Sequence, residues 1–140
     1  MPKVNEIRTA LFEAAPEYMK MEWDNVGLMC GHAAQEVTRV LVALDASYRV
    51  LNEAKAAHCE LVVCHHPLIF GGTKTVTDET PVGRSLLFAI ENGVSEYTRE
   101  RAFRLSPFME LLGYQFSLWS RSSSASCVFS SAGSMSQPLS

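Results

Sequence analysis

With 140 residues, 47% of them hydrophobic and 19% charged, the chain is long enough to bury the core of one domain of ordinary size. Its formal net charge of −3 argues against a nucleic-acid partner, because phosphates demand a basic face. No apolar run approaches the roughly 20 residues of a membrane span, and the first residues do not begin a signal peptide, so we expect a cytoplasmic protein with no membrane partner.

The cysteines are widely spaced, at Cys30, Cys59, Cys64 and Cys127, and they form no Cys-x-x-Cys pair. This spacing indicates neither a zinc knuckle nor a disulfide framework. Cys30 and Cys64 stand in apolar, strand-like contexts, so we interpret them as core thiols and not as nucleophiles.

The first elements are a helix and a short strand. Apolar residues recur at helical spacing over residues 4–14, and Pro16 marks the stop. Residues 26–30 are typical of a short strand. Asp24, just before them, is a turn former whose side chain bonds its own backbone, and a place beside a catalytic or metal site is the alternative.

The strongest strand pattern runs from Val37 to Asp45, and a second apolar strand begins at Leu61. The intervening residues 46–58 carry apolar side chains on one helical face, with Asp45 or Ser47 as the natural N-cap. A connection of about a dozen residues fits a right-handed parallel strand–helix–strand unit. The carboxyl ends of both strands then meet at one edge of the sheet.

Two adjacent histidines, His65 and His66, end the second of these strands, and Pro67 follows them. In open α/β sheets the ligand crevice lies outside the carboxyl ends of the strands. Imidazole is the commonest metal ligand and titrates near physiological pH, so the pair indicates a metal site or an acid/base site. Asp45 falls at the same edge, where it either caps the helix or contacts a metal or substrate. In the alternative interpretation, one histidine caps the strand and the other faces solvent.

Further along, Thr80 and Pro81 start another helix, which Asn92 and Gly93 end as a C-cap. A charged segment then follows Val94, where a doubly wound fold would place another buried strand. We predict an α/β fold, three-layer-like, with a mostly parallel sheet and an irregular or disordered C-terminal tail.

The predicted domain organisation has three parts. Residues 1–94 form the α/β domain, residues 95–119 form a divergent segment of uncertain structure, and residues 120–140 form a disordered tail dominated by serine.

Three stretches resemble a known family of dinuclear-metal proteins, GTP cyclohydrolase I type 2, also called NGG-interacting-factor-three-like and including the YbgI and YqfO proteins. They are Trp-Asp-Asn-Val-Gly-Leu at 23–28, Val-Leu-Val-Ala-Leu-Asp at 40–45 and Cys-His-His-Pro-Leu-Ile-Phe at 64–70. Together they cover the amino-terminal part of the family, about residues 4–94.

The resemblance implies a toroidal homo-hexamer with two divalent metal ions at each site, held by His, Asp and Glu side chains. His65 and His66 match two of those ligands. Zinc, iron, manganese and nickel all suit such a site. Two metals a few ångströms apart can lower the pKa of a bridging water for hydrolysis of a small-molecule substrate, whose identity the family leaves open.

The chain departs from the family after Val94. Family members are much longer, and their third ligand is an aspartate in a His-Thr-Asn-Leu-Asp-like stretch, where this chain reads Ser-Glu-Tyr-Thr-Arg-Glu at 95–100. No histidine follows His66, so the later ligands have no match. One hypothesis is a lost reading frame, because codons for residues 96–100 read one base later can spell Ile-His-Ala-Asn. A genuine short variant is the alternative.

Three functional hypotheses follow. The first is a metal-dependent hydrolase, or its inactive remnant, with His65 and His66 as metal ligands and Asp24 or Asp45 orienting them. The second is a non-catalytic binding or scaffold protein, for which apolar residues between Phe108 and Trp119 offer a partner surface or an aggregation site. In the third, the sheet is too incomplete to fold stably.

Overall fold

A computed structural model describes residues 2–14, 27–69, 72–98, 114–119 and 126–131. Its helices are α1 (Val4–Ala14), α2 (Tyr48–Ala56) and α3 (Pro81–Glu91). Its strands are β1 (Gly27–Cys30), β2 (Arg39–Ala43), β3 (Leu61–Cys64), β4 (Ser95–Thr98), β5 (Tyr114–Trp119) and β6 (Ser126–Ser131). Within these ranges, no helix has the length and apolar character needed to cross a bilayer.

The strands form one sheet in the order β1-β4-β3-β2-β6-β5. β2, β3 and β4 pair in parallel, with Val40 opposite Leu61 and Ala43 opposite Cys64. β1 pairs antiparallel with β4, and β6 pairs antiparallel with β2 and β5. The predicted α/β fold is therefore confirmed, with a parallel centre flanked on both sides by antiparallel strands.

Helices cover both faces of the parallel centre. On one face, Val62 of β3 shares a buried cluster with Leu51 of α2 and Leu86 of α3. On the other face, Val63 shares a second cluster with Ile7 of α1. Successive strand side chains point to opposite faces, so the apolar run of β3 is buried from both sides. This arrangement confirms the predicted three layers.

Polar side chains set the helix ends. Ser47 is the N-cap of α2, and its hydroxyl accepts from the Val50 amide at 3.3 Å. The Thr80 hydroxyl caps α3 by accepting from the Gly83 amide at 3.0 Å, with Pro81 in the first turn. These bonds satisfy amides that have no partner inside the helix. Of the two predicted caps of α2, Ser47 is therefore the one used.

The sheet continues beyond Val94. Residues 95–98, which the sequence assigned to a divergent segment, form β4, and every one of its side chains is buried. The charge of this segment left its structure uncertain at the level of sequence, because strand preference depends on tertiary context. The open edge of β3 offers unpaired backbone groups, and pairing with β4 satisfies them.

Part of the tail is also in the sheet. The prediction of disorder is wrong for residues 126–131, which form β6, and residues 114–119 form β5 beside it. β2 would otherwise present an unpaired edge, and β6 supplies its backbone partners. The rest of 99–140 lies outside the described residues, and the predicted boundaries at 94 and 119 stay predictions.

Candidate functional site

The two histidines occupy a turn that directly follows β3. The backbone amides of His65 and His66 both donate to the carbonyl of Leu44, at 3.2 Å and 2.8 Å. Leu44 follows β2 directly, and the parallel register places the ends of β2 and β3 side by side. The pair therefore lies at the carboxyl edge of the parallel strands, as the sequence predicted.

The imidazole rings lie close together, with 4.8 Å between their centroids and 61° between their planes. His65 is half-buried and His66 is exposed, so a solvent-borne ion can reach the pair. Neutral imidazole nitrogens are good ligands for zinc, iron and nickel. The geometry supplies two neighbouring nitrogen donors.

Asp45 lies at the same edge, but it has a local partner. Its carboxylate is exposed, and Oδ1 accepts from the Ser47 amide at 3.0 Å, which is a turn interaction at the start of α2. Asp24 lies outside the described residues. Its predicted role therefore stays a prediction.

The donor set of the described residues does not fit a dinuclear metal centre. Over the described ranges, no group of three or more His, Cys, Asp or Glu side chains is arranged to hold a metal ion. Structural zinc sites use four ligands, and catalytic sites use three protein ligands and a water. The histidine pair alone fits part of the coordination shell of a single ion.

A buried polar cluster, which the sequence did not predict, lies next to the histidine turn. Glu96 of β4 is fully buried, and its Oε1 lies 2.6 Å from the Cys64 sulfur and accepts from the Thr98 hydroxyl at 2.7 Å. Its Oε2 has no hydrogen-bond partner among the residues that the structure describes. Burial is the main cause that raises the pKa of Glu96, to about 7. We call Cys64, Glu96 and Thr98 the buried polar cluster.

The alternation of side chains between the two faces of a strand was the sequence signal that could have predicted this cluster. Had Ser95–Thr98 been recognised as a strand parallel to β3, the Cα pairing of Glu96 with Val62 and of Thr98 with Cys64 would have followed. Both polar residues would then have been placed on the buried face beneath the helices.

Cys30 and Cys64 behave as core thiols, as predicted, and Cys59 is also buried. Burial raises the pKa of Cys30 to about 11 and that of Cys59 to about 12. Burial, followed by the nearby Glu96, raises the pKa of Cys64 far above its ordinary range. A thiol with a raised pKa carries little thiolate, so these residues are poor nucleophiles.

A cavity of about 730 Å³ lies at the amino ends of α2 and α3. Its walls include Asp45, Pro67, Leu68 and Tyr48. The guanidinium of Arg84 lies over the Tyr48 ring, 4.7 Å from the ring centroid. The volume falls within the range of pockets for small molecules. The cavity thus adjoins the segment that follows the histidine turn.

Comparison with known proteins connects this chain to a family. A GTP cyclohydrolase 1 type 2 homolog from Clostridium perfringens is 38% identical over 96 residues, which are 69% of this chain and 37% of the relative. A crystal structure of Staphylococcus aureus protein SA1388 covers 72% of this chain and 29% of its own, with a TM-score of 0.68 and 32% identity. A Bacillus cereus protein related to NIF3 covers 84% and 34%, with a TM-score of 0.67 and 27% identity.

The similarity is confined to a part of these proteins. The chain spans about a third of the length of the curated relatives that it matches. Residues 2–99 match the family described as Duf34/NIF3 (NGG1p interacting factor 3). This match confirms the resemblance that the three sequence stretches indicated, and the chain therefore belongs to the DUF34/NIF3 family.

Proposed function

We propose that this chain is a divalent-cation-binding member of the family that holds one cation weakly at His65 and His66 and has little or no hydrolase activity. The observation that carries the proposal is the pair of adjacent imidazoles at the carboxyl end of β3, without a third ligand in the described part of the chain. Two nitrogen donors attract a cation, but they leave most of its coordination to water.

The metal-dependent hydrolase chemistry expected from the resemblance needs a completed site. Activation of a water at neutral pH requires a metal held firmly in a defined geometry. The histidine pair does not provide that geometry alone, so we assign no catalytic step to it. A reading frame lost near Val94 is one hypothesis for the missing aspartate, with a genuine variant of the family as the alternative, and sequencing of the surrounding DNA for a neighbouring open frame that encodes the motif distinguishes them.

The experiment is metal content and zinc titration of the full chain, purified without a histidine tag or chelator. We expect substoichiometric metal as purified and binding of one zinc ion on titration, which the His65→Ala/His66→Ala double variant abolishes. His32→Ala is the matched control, because His32 is an exposed histidine on the loop after β1. Two equivalents of firmly held metal would contradict the incomplete site, and no binding at all would contradict the cation-binding function.

A second candidate function is non-catalytic binding of a small molecule. The cavity beside Tyr48 and Arg84 favours it, because its volume and partly apolar walls suit such a ligand. The double histidine variant separates the two functions. Ligand binding that persists in that variant supports the cavity, and loss of ligand binding together with metal supports the histidine pair.

The proposal also covers the cellular compartment and the oligomeric state of the protein. The described cysteines Cys30, Cys59 and Cys64 are free thiols, which supports a reducing compartment such as the cytoplasm. Membership of the family supports self-association into a homo-oligomer, and measurement of the molar mass in solution tests it.

A further inference from the structure

The cavity at the amino ends of α2 and α3 has a buried wall that carries one polar side chain. Ala46, Leu68 and Ser85 line the cavity and are buried, and Ser85 is only 4% exposed. The Ser85 hydroxyl has no hydrogen-bond partner among the residues that the structure describes. Buried hydroxyl groups are normally hydrogen-bonded. A ligand in the cavity would supply the partner that Ser85 lacks.

The first turns of both helices add backbone donors to the same cavity. In each helix the capping hydroxyl accepts from the amide of the third residue. The earlier amides of Tyr48, Arg49 and Val82 have no partner in the described part of the chain, and all three residues line the cavity. Free amides and the helix dipole at an amino end both favour an anion.

Arg84 adds a cation to these donors. Its guanidinium lies over the ring of Tyr48, which orients it. Asp78 and Glu79 line the same cavity, but no carboxylate of the described residues forms an ion pair with Arg84. A guanidinium that is held in place without a carboxylate partner keeps its donors for a ligand.

The acidic side chains of the cavity limit the charge of that ligand. Asp45, Asp78 and Glu79 line it together with Arg49 and Arg84. The carboxylates repel a second negative charge, so a monoanion fits better than a dianion such as a phosphate ester. All of them are exposed, so water and salt screen the repulsion of a single charge. The planar guanidinium also matches the two oxygens of a carboxylate.

We propose that the cavity binds a small organic acid with an apolar body, whose carboxylate accepts from Arg84, from Ser85 and from the free first-turn amides. The volume of about 730 Å³ leaves room for the apolar body beside Leu68. This inference rests on the second candidate function, small-molecule binding in the cavity, and it names the class of the ligand.

Three probes that share one ring system test the charge. Naphthoate is the monoanion, naphthamide is its neutral isostere and naphthyl phosphate is the dianion. Each is titrated into the full chain without added metal and followed by NMR of the backbone amides. We expect naphthoate to bind at least about tenfold more tightly than the other two, the factor typical of a charge-assisted hydrogen bond, and to shift the amide signals of Tyr48, Arg49 and Val82.

The other outcomes separate this inference from the function on which it rests. Equal binding of naphthoate and naphthamide would overturn the inference and leave small-molecule binding intact. Tighter binding of naphthyl phosphate would overturn the assignment to a monoanion. Failure of all three probes to bind would overturn both the inference and small-molecule binding in the cavity.

Variants assign the contacts. Arg84→Met removes the charge and keeps a flexible apolar stem, and Ser85→Ala removes the hydroxyl. We expect the naphthoate affinity to fall about tenfold to a hundredfold in Arg84→Met and about fivefold in Ser85→Ala. The naphthamide affinity should change by less than about twofold in Arg84→Met, because no ionic contact is lost. Unchanged naphthoate affinity in both variants would contradict the proposed contacts.

Lys55→Met is the matched control. Lys55 also lies over an aromatic ring, 5.8 Å from the centroid of Phe88, but it does not line the cavity. Its loss should leave naphthoate binding unchanged. A fall equal to that in Arg84→Met would show that the anion responds to the overall charge of the surface and would overturn the inference.

The histidine pair provides the last discrimination, because a carboxylate that coordinates a metal ion at His65 and His66 would also bind in preference to its amide. We expect the His65→Ala/His66→Ala double variant to retain naphthoate affinity within about twofold, since the cavity donors are unchanged. Loss of naphthoate binding in this variant would assign the anion to the histidine pair, which would overturn the inference and support the cation-binding function.

Discussion

At the scale of single residues, Glu96 is the most unusual feature of the molecule. It is a fully buried acid in a strand between two others, and within the described ranges one of its oxygens has no hydrogen-bond partner. Burial of a polar group costs free energy unless hydrogen bonds replace water. Cys64 and Thr98 both donate to Oε1 and lower the pKa of the carboxyl, but burial is the larger effect and raises that pKa to about 7.

This burial makes stability depend on pH. The pKa of Glu96 is raised from 4.5 to about 7, so the folded state keeps a proton that the unfolded state loses. The stabilising contribution is complete below pH 4.5 and is lost as the pH rises through 7. Between pH 5 and pH 8 the free energy of unfolding should fall by roughly 2–3 kcal/mol from this group.

Urea unfolding at both pH values measures this fall. In the described part of the chain, Cys30 and Cys64 are the titratable groups recorded as interacting with Glu96, and both stay neutral over this range because their pKa values are raised. Glu96→Gln does not titrate, so its stability should lack this component. Identical pH dependence in the two proteins would contradict the assignment.

At the scale of elements, helix α3 shows how local sequence and close packing combine. Thr80 caps the amino end of this helix and Pro81 lies in its first turn, and the sequence predicts both features. The local sequence does not explain the presence of Gly83 in this helix, because glycine normally weakens a helix by about 1 kcal/mol relative to alanine. The structure explains it, since a Cβ at Gly83 would collide with the carbonyl oxygen of Thr77.

We therefore predict that Gly83→Ala destabilises the protein, although helix propensity alone predicts the opposite. The carbonyl belongs to the backbone and cannot move aside cheaply, so the loss should be about 1–3 kcal/mol in thermal or urea unfolding. Glu91→Ala, at an exposed position of the same helix, should change stability by less than about 0.5 kcal/mol. A stabilised Gly83→Ala variant would show that the Thr77 contact is not maintained in solution.

At the scale of the whole molecule, the parallel centre is completed by strands from a distant part of the sequence. β6 lies between β2 and β5, with Val128 opposite Leu41. A central strand of this kind satisfies backbone groups on both of its sides. Residues 126–131 of the predicted tail are thus a structural part of the sheet.

Val128→Pro tests this role. Proline removes the amide proton and fits poorly inside a sheet, so we expect a loss of roughly 2–3 kcal/mol in unfolding free energy and faster amide exchange in β2. Val128→Ala keeps the backbone amide and should leave the β2 amides protected. If the proline variant unfolds like the wild type, β2 does not depend on β6.

Sequence reasoning succeeded where the determining interactions are local. Periodic apolar residues and capping residues defined α1, α2 and α3, and the apolar run ending at His65 and His66 placed the pair at the end of β3. The strand–helix–strand rule then brought Asp45 to the same edge. These features depend on side chains close together in the chain.

The remaining features depend on partners far apart in the sequence. The charged residues around Glu96 and the serines around Ser126 disfavour strands. Backbone pairing with the open edges of β3 and β2 outweighs both preferences. The contact between Glu96 and Cys64 spans 32 positions of the chain and exists only because β3 and β4 pair in parallel. The sequence by itself thus determined the helices, the strand–helix–strand unit and the position of the histidines. Only the tertiary structure decided which segments complete the sheet and what lies behind the histidine turn, because pairing across the sheet satisfies backbone groups whatever the local preference of the strand.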